Sequence, residues 1–133
     1  MKDYEVTASY KTKIRYHIIF STKYRKKCLT SIRASVLDAF RECERRSHFR
    51  IYEMEIDKDH IHLLVSISPQ YSISQVIKRM KTFTTVYLWK KEKDHLSSFY
   101  WGRKHKLWTR GAFIATCGDA STETIRKYIE TQG

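Results

Sequence analysis

Asp57-Lys58-Asp59-His60-Ile61-His62-Leu63-Leu64-Val65-Ser66-Ile67 is the stretch whose reading decides the fold. Side chains alternate across a strand, so Ile61, Leu63, Val65 and Ile67 form one apolar row while His60, His62, Leu64 and Ser66 face the other way. The histidines are therefore expected opposite the side that helices cover. Residues 49 to 56 read as the preceding strand, and the turn-forming Asp57-Lys58-Asp59 between the two predicts an antiparallel hairpin.

Outward from the hairpin, residues 13 to 21 alternate, with Ile14, Tyr16, Ile18 and Phe20 on one side and Lys13, Arg15, His17 and Ser21 on the other. This is the pattern of a half-buried strand. His17 shares its side with Arg15 and is expected on the open face in a structural role. A basic loop follows, Lys23-Tyr24-Arg25-Lys26-Lys27. Residues 31 to 47 carry Ile32, Val36, Leu37 and Phe40 at helical spacing, with charge around the rest. Beyond Pro69, Ser72 or Ser74 caps a long helix whose inner stripe is Ile73, Val76, Ile77, Met80, Phe83, Thr84 and Tyr87. Lys78, Arg79 and Lys81 are expected on its outer side. Residues 91 to 111 read as irregular and basic, 112 to 117 as a fourth strand, and about 121 to 131 as a final helix after Gly118.

Strand, helix, strand, strand, helix, strand and an extra helix is the order of an α+β fold of the ferredoxin-like (split βαβ, RRM-like) kind. It implies a four-stranded antiparallel sheet with helices on one face, in a single domain spanning residues 1–133. The extra C-terminal helix has to bring its tyrosine to the other face.

With 26 Lys and Arg against 14 acidic residues, the chain of 133 residues carries a formal net charge of +12. That exceeds the roughly 2 to 8 that serves the solubility of a small domain and favours a polyanionic partner, nucleic acid above membranes or acidic proteins. No apolar run approaches the roughly 18 residues of a membrane span, and the N-terminus lacks a signal-peptide core, so no membrane partner and a cytoplasmic location are expected. Cys28, Cys43 and Cys117 read as reduced packing residues.

Two imidazoles on one side of a strand can close on one metal ion. Tyr128 and Gln132, four residues apart in the final helix, share a face and offer a phenol nucleophile beside an amide oxygen. Two nitrogens and one oxygen leave coordination positions open for water and a phosphate oxygen, which is a catalytic shell suited to Mg2+ or Mn2+. The chain has no glycine loop for ATP. Each residue also has a bland reading: Asp57 and Asp59 as turn formers, Tyr128 as core beside Ile125 and Ile129, Gln132 as a frayed end. The conjunction carries the argument. Candidate phosphate contacts are Arg15, Lys23, Arg25, Lys26, Lys27, Lys78, Arg79, Lys81, Arg126 and Lys127. Trp89, Trp101 and Trp108 are candidates for base stacking, with packing the expected role for at least two.

Four blocks carry a family resemblance: Tyr16 to Arg25, Asp57 to Leu64, Leu107 to Thr116 and Ile125 to Gln132. In this order they resemble the single-domain HUH tyrosine transposases of the smallest bacterial insertion sequences. The resemblance implies that His60 and His62 bind the metal, that Tyr128 is the nucleophile and that Gln132 is the additional ligand. It further implies a homodimer that binds hairpins in single-stranded transposon ends. Such an enzyme cuts beside them to leave a 5′-phosphotyrosine and a free 3′-hydroxyl, then rejoins the ends in a bacterial or archaeal cytoplasm, on the nucleoid when DNA-bound. Gly118 stands where a hinge would let the tyrosine helix serve a partner subunit. A non-catalytic single-strand nucleic-acid-binding module, or a host-adopted relative processing chromosomal hairpins, are the alternatives.

Overall fold

The computed structural model describes residues 14–116 and 122–131. Four strands, β1 (Tyr16–Ser21), β2 (Phe49–Ile56), β3 (His60–Ile67) and β4 (Phe113–Thr116), form one sheet in the order β2-β3-β1-β4. Every pairing is antiparallel. Helices α1 (Arg33–Arg45) and α2 (Ile73–Lys91) make the two crossovers, α3 (Lys93–Ser97) follows α2, and α4 (Thr122–Thr131) follows β4. Because β3 lies between β1 and β2, and β1 between β3 and β4, each βαβ unit is split by a strand of the other. This is the ferredoxin-like arrangement expected from the element order.

The core lies between the sheet and the paired α1 and α2. Ile18, Phe20, Ile61, Leu63 and Val65 are buried from below and Val36, Phe40, Cys43, Val76, Met80 and Leu88 from above. In β2 strict alternation fails. Ile51 pairs with Val65 and Ile56 with Ile61, yet they stand five positions apart, an odd offset that would send them to opposite faces. A register shift between Ile51 and Glu53 inserts Tyr52 as a bulge, and both isoleucines stay in the core.

Ser72 is the cap of α2: its Oγ accepts from the Gln75 N–H at 3.1 Å while its own N–H donates to Gln75 Oε1 at 2.8 Å. Such a capping box is worth on the order of 1 kcal/mol. The inner stripe runs further than its sequence pattern suggests, since Leu88 and Trp89 are buried while Ile73, Ile77, Phe83 and Tyr87 flank it half-buried. Lys81 departs from its expected outer position. Its ammonium is half-buried and donates to the carbonyls of Thr109, at 2.9 Å, and Gly111, and burial pulls its pKa down. The helix thus clamps the segment leading into β4.

Residues 91–111 are not irregular throughout. The short α3 anchors itself through buried Leu96, and Leu107 and Trp108 return to the core. Trp108 packs against Phe20 and Phe40 at ring separations of 5.7 and 6.0 Å and donates its indole N–H to Thr84 Oγ1 at 3.0 Å. One apolar anchor in five residues leaves no periodicity to read. Cys28 and Cys43 are buried thiols outside any disulfide, and burial pushes the Cys28 thiol up to about 11, consistent with packing roles.

Candidate active site

The uncovered face of the sheet is organised by its cross-strand rows. In one row Phe113 of β4 lies opposite Ile19 of β1, Ile19 opposite His62 of β3, and His62 opposite Glu55 of β2. In the next row Ser21 lies opposite His60. With strands about 4.8 Å apart, Phe113 stands about 10 Å from His62 on the same face. The Tyr128 ring of α4 lies 5.0 Å from the Phe113 ring, centroid to centroid. The C-terminal helix therefore rests on the histidine face of its own chain, with the phenol half-buried.

Both imidazoles are half-buried and held by neighbours. The Nδ1 of His60 lies 3.0 Å from Asp59 Oδ1. A carboxylate accepts, so this nitrogen carries the proton, and in the neutral ring Nε2 is the nitrogen with the lone pair. Asp59 is in turn gripped by Arg25, whose Nε and Nη2 each approach Oδ2 at 2.9 Å. Burial alone would raise the Asp59 pKa, but the hydrogen bonds from Arg25 and His60, together with the Arg25 charge, hold it below the usual value. The Nε2 of His62 meets Nδ1 of His17 at 2.9 Å, with ring centroids 5.0 Å apart. Burial, then the proximity of His17, lowers the His62 pKa and favours the neutral ring that metal ligation needs.

This donor set fits a divalent metal with an incomplete protein shell. His60 and His62 offer nitrogens on one face, and the fully buried Ser21 Oγ, directly across from His60, has no hydrogen-bond partner. Among the described residues no three His, Cys, Asp or Glu side chains converge on one point. A closed structural site of those donors is thus not present among them. Capture of a metal at His62 Nε2 entails exchanging the His17 contact for the ion. Gln132, Cys117 and Gly118 lie outside the described residues.

Tyr128 belongs to the last turns of α4, and Arg25 donates through Nη1 to the carbonyl of its neighbour Ile129. Burial raises the Tyr128 pKa above that of free tyrosine, with the Arg25 charge acting in the opposite direction. A phenol that acts as a nucleophile must shed its proton as the new bond forms.

The expected phosphate contacts fall into different settings. Arg25 is engaged within the chain as just described, and Lys81 is clamped under the β4 segment. Arg79 donates to Ser47 Oγ at 2.9 Å and to the Arg46 carbonyl at 3.3 Å. Arg15 stacks its guanidinium 3.8 Å from the Tyr52 ring centroid. Lys27, Lys78, Arg126 and Lys127 are exposed. Lys23 and Lys26 each lie over an exposed ring: Lys26 Nζ is 5.6 Å from the Trp101 ring and Lys23 Nζ 5.5 Å from the Tyr24 ring. Lys106 Nζ approaches Tyr24 at 5.4 Å. Tyr24 and Trp101 are 58% and 73% exposed, whereas Trp89 and Trp108 are buried, so Trp101 alone of the tryptophans is placed to stack on a base.

Sequence reasoning left three of these residues without their structural role. Asp59 read as a turn former, His17 as a lone strand histidine and Arg25 as a phosphate contact. The adjacency of Asp59 to His60 is the one signal that pointed to a supporting carboxylate.

An antiparallel split-βαβ sheet with paired histidines on its uncovered face and a tyrosine helix laid across it defines a small class of α+β domains, and comparison with known proteins says which. The family described as "Transposase IS200 like" matches residues 10–132. The transposase for insertion sequence element IS200 of Salmonella typhimurium is 30% identical over 99% of this chain and 85% of its own length. The ISDra2 transposase TnpA of Deinococcus radiodurans is 32% identical over 92% of this chain and 86% of its own. A crystal structure of a Deinococcus radiodurans protein described as a transposase superposes with a TM-score of 0.83 at 26% identity, covering 99% of this chain and 98% of that one. A REP-associated tyrosine transposase bound to a REP hairpin shares the fold at a TM-score of 0.55 and 12% identity, over 93% of this chain and 69% of that one. The chain belongs to the IS200-like transposase family.

Proposed function

We propose that this transposase cuts and rejoins single-stranded DNA through a covalent link to Tyr128, beside a divalent metal held by His60 and His62 and completed by Gln132. The observation that carries the reading is the placement of α4, which lays Tyr128 on the sheet face that presents both histidines. In the reaction Tyr128 Oη bonds to phosphorus, the bond from phosphorus to the 3′-oxygen breaks, the phenolic proton passes to solvent and the departing 3′-oxygen takes up a proton from water. The products are a 5′-phosphotyrosine and a free 3′-hydroxyl. Attack by another 3′-hydroxyl reverses the step on a new partner, and because the phosphotyrosine ester conserves the broken bond, ATP is not required.

His60, His62 and Gln132 would hold a divalent ion, Mg2+ or Mn2+, which when bound would supply positive charge against the phosphate oxygens. The chain's own groups do the rest. Asp59 fixes the His60 tautomer, His17 holds His62 Nε2 until the ion takes its place, and burial of the phenol against Phe113 keeps it oriented. Exposed Tyr24, with Lys23 and Lys106 over its ring, and exposed Trp101, with Lys26 over its ring, offer stacking and phosphate contacts suited to unpaired bases. Hairpin recognition by a homodimer completes the reading, in keeping with the hairpin carried by the REP-associated fold neighbour.

The test is denaturing electrophoresis of the protein with labelled hairpin-bearing single-stranded DNA from the gene's own flanks, with and without Mn2+ or Mg2+. A metal-dependent covalent adduct that Tyr128→Phe abolishes is the expected result. Undiminished cleavage by the variant sinks the nucleophile assignment. Native-gel binding without any adduct makes the chain a binding module.

A further inference from the structure

We propose that Arg25 is a positioning residue that couples the docking of the α4 tyrosine helix to the orientation of the His60 imidazole. The inference rests on the tyrosine reading above and deepens it. Its basis is a continuous chain of charge-assisted contacts. Arg25 Nη1 donates to the Ile129 carbonyl, Arg25 Nε and Nη2 each reach Asp59 Oδ2 at 2.9 Å, and Asp59 Oδ1 lies 3.0 Å from His60 Nδ1. One guanidinium thus spans the residue beside the phenol and the carboxylate that fixes an imidazole.

The chemistry of each link suits the task. The Ile129 carbonyl belongs to the last turn of α4, where carbonyls lack intrahelical partners and a cation complements the helix dipole. The planar fork of arginine directs donors to two acceptors on different elements at once, which a lysine point charge does not reproduce. Asp59 spends one oxygen on the arginine and the other on the histidine. With the proton held at Nδ1, His60 turns a bare Nε2 to the open face.

The arginine is itself braced. Residues 22 to 29 are pinned to the β2–β3 turn and to residue 107: the Thr22 N–H donates to the Asp59 carbonyl at 2.8 Å, the Lys23 N–H to Leu107 at 2.8 Å and the Leu29 N–H to Lys58 at 3.0 Å. Tyr24 and Arg25 take left-handed φ values of 61° and 52°, a conformation that side-chain-bearing residues adopt only where surroundings hold it. Asp59 and the Ile129 carbonyl, both reached by the Arg25 side chain, are fixed points of the molecule. Withdrawal of α4 breaks one end of the chain of contacts and loosens the other, so the nucleophile and the histidine site assemble together.

Hydrogen exchange on the metal-free, DNA-free protein tests the link without invoking the reaction. In Arg25→Gln, amides of residues 126–131 are expected to exchange about tenfold faster, the equivalent of one charged hydrogen bond, while β1 and β3 stay protected. Asp59→Asn should speed α4 exchange less than Arg25→Gln does, because the Ile129 contact remains while its brace is weakened, and should weaken Mn2+ binding in a DNA-free titration, as Arg25→Gln also should. In the adduct assay Arg25→Gln should slow covalent attachment with the Kd for DNA held within about twofold of wild type. Unchanged α4 exchange in Arg25→Gln overturns the proposal, and so does a DNA affinity loss without a rate loss, which would make Arg25 a phosphate contact. If Arg25→Gln unfolds the sheet, Arg25→Lys replaces it: retained Asp59 pairing with faster α4 exchange supports the coupling, and wild-type exchange overturns it. The exchange arm reads the same whether or not Tyr128 proves to be the nucleophile.

Discussion

On the covered face of the sheet, Ile18, Phe20, Ile61, Leu63 and Val65 are sealed beneath α1 and α2, and no polar side chain there has to find a ligand. On the open face the same strands present His17, His60, His62 and Ser21, each with a specific neighbour or a conspicuous lack of one. The first surface is held by volume and the loss of water contact, which many apolar sequences satisfy. The second depends on individual atoms at hydrogen-bond distances, so one substitution there changes chemistry with little change in stability.

The sharpest separation of the two faces comes from Tyr128→Phe and His60→Ala. Both should drop adduct formation below detection in the gel assay. Tyr128→Phe should also keep the wild-type melting temperature, because the ring still packs on Phe113. On the covered face Phe40→Ala should do the opposite. Removing a fully buried ring that packs on Phe20 and Trp108 should cost about 3–5 kcal/mol in denaturant unfolding, whatever DNA is present.

A smaller effect is expected at the edge of the open face. Trp101→Ala should weaken single-stranded DNA binding by about 1–3 kcal/mol in a fluorescence titration and leave unfolding unchanged, since the ring is 73% exposed. The pH dependence sharpens the contrast further. Burial raises the Tyr128 pKa, so the folded protein favours the neutral phenol. That contribution to stability is fully present below the unfolded value near 10 and is lost as pH rises through the folded value. Attachment rates should run the other way, climbing up to about tenfold per pH unit above neutrality where phenol ionisation limits the step. A flat profile between pH 7 and 9 would place the limiting step elsewhere. The smallest expected change is Lys78→Ala, which should reduce the log-log salt slope of DNA binding by about 0.7 if that exposed lysine meets a phosphate, and by nothing if it is only solvated.

The hairpin at 49–56 and 60–67 was legible because alternation, a turn signal and an uninterrupted apolar row agreed. The order of elements then sufficed for the split-βαβ sheet. The bulge at Tyr52, the short α3 and the burial of Trp108 were not legible, because each follows from a partner distant in sequence. Lys81 shows the same limit: its helical position reads as outward until the Thr109–Gly111 segment closes over it.

Sequence by itself determined the fold, the facing of His60 and His62, the basic character of the surface and, through four ordered blocks, the family. These are properties of local periodicity, composition and motif order, all carried within single elements. Only the tertiary structure decided that His17 meets His62 across 45 positions and that Arg25 reaches Ile129 across 104. It also decided that Asp59 stands between that arginine and His60. Such contacts depend on strand register, a braced left-handed loop and the resting place of the last helix, and no local pattern encodes distances between elements that meet only after the chain has closed.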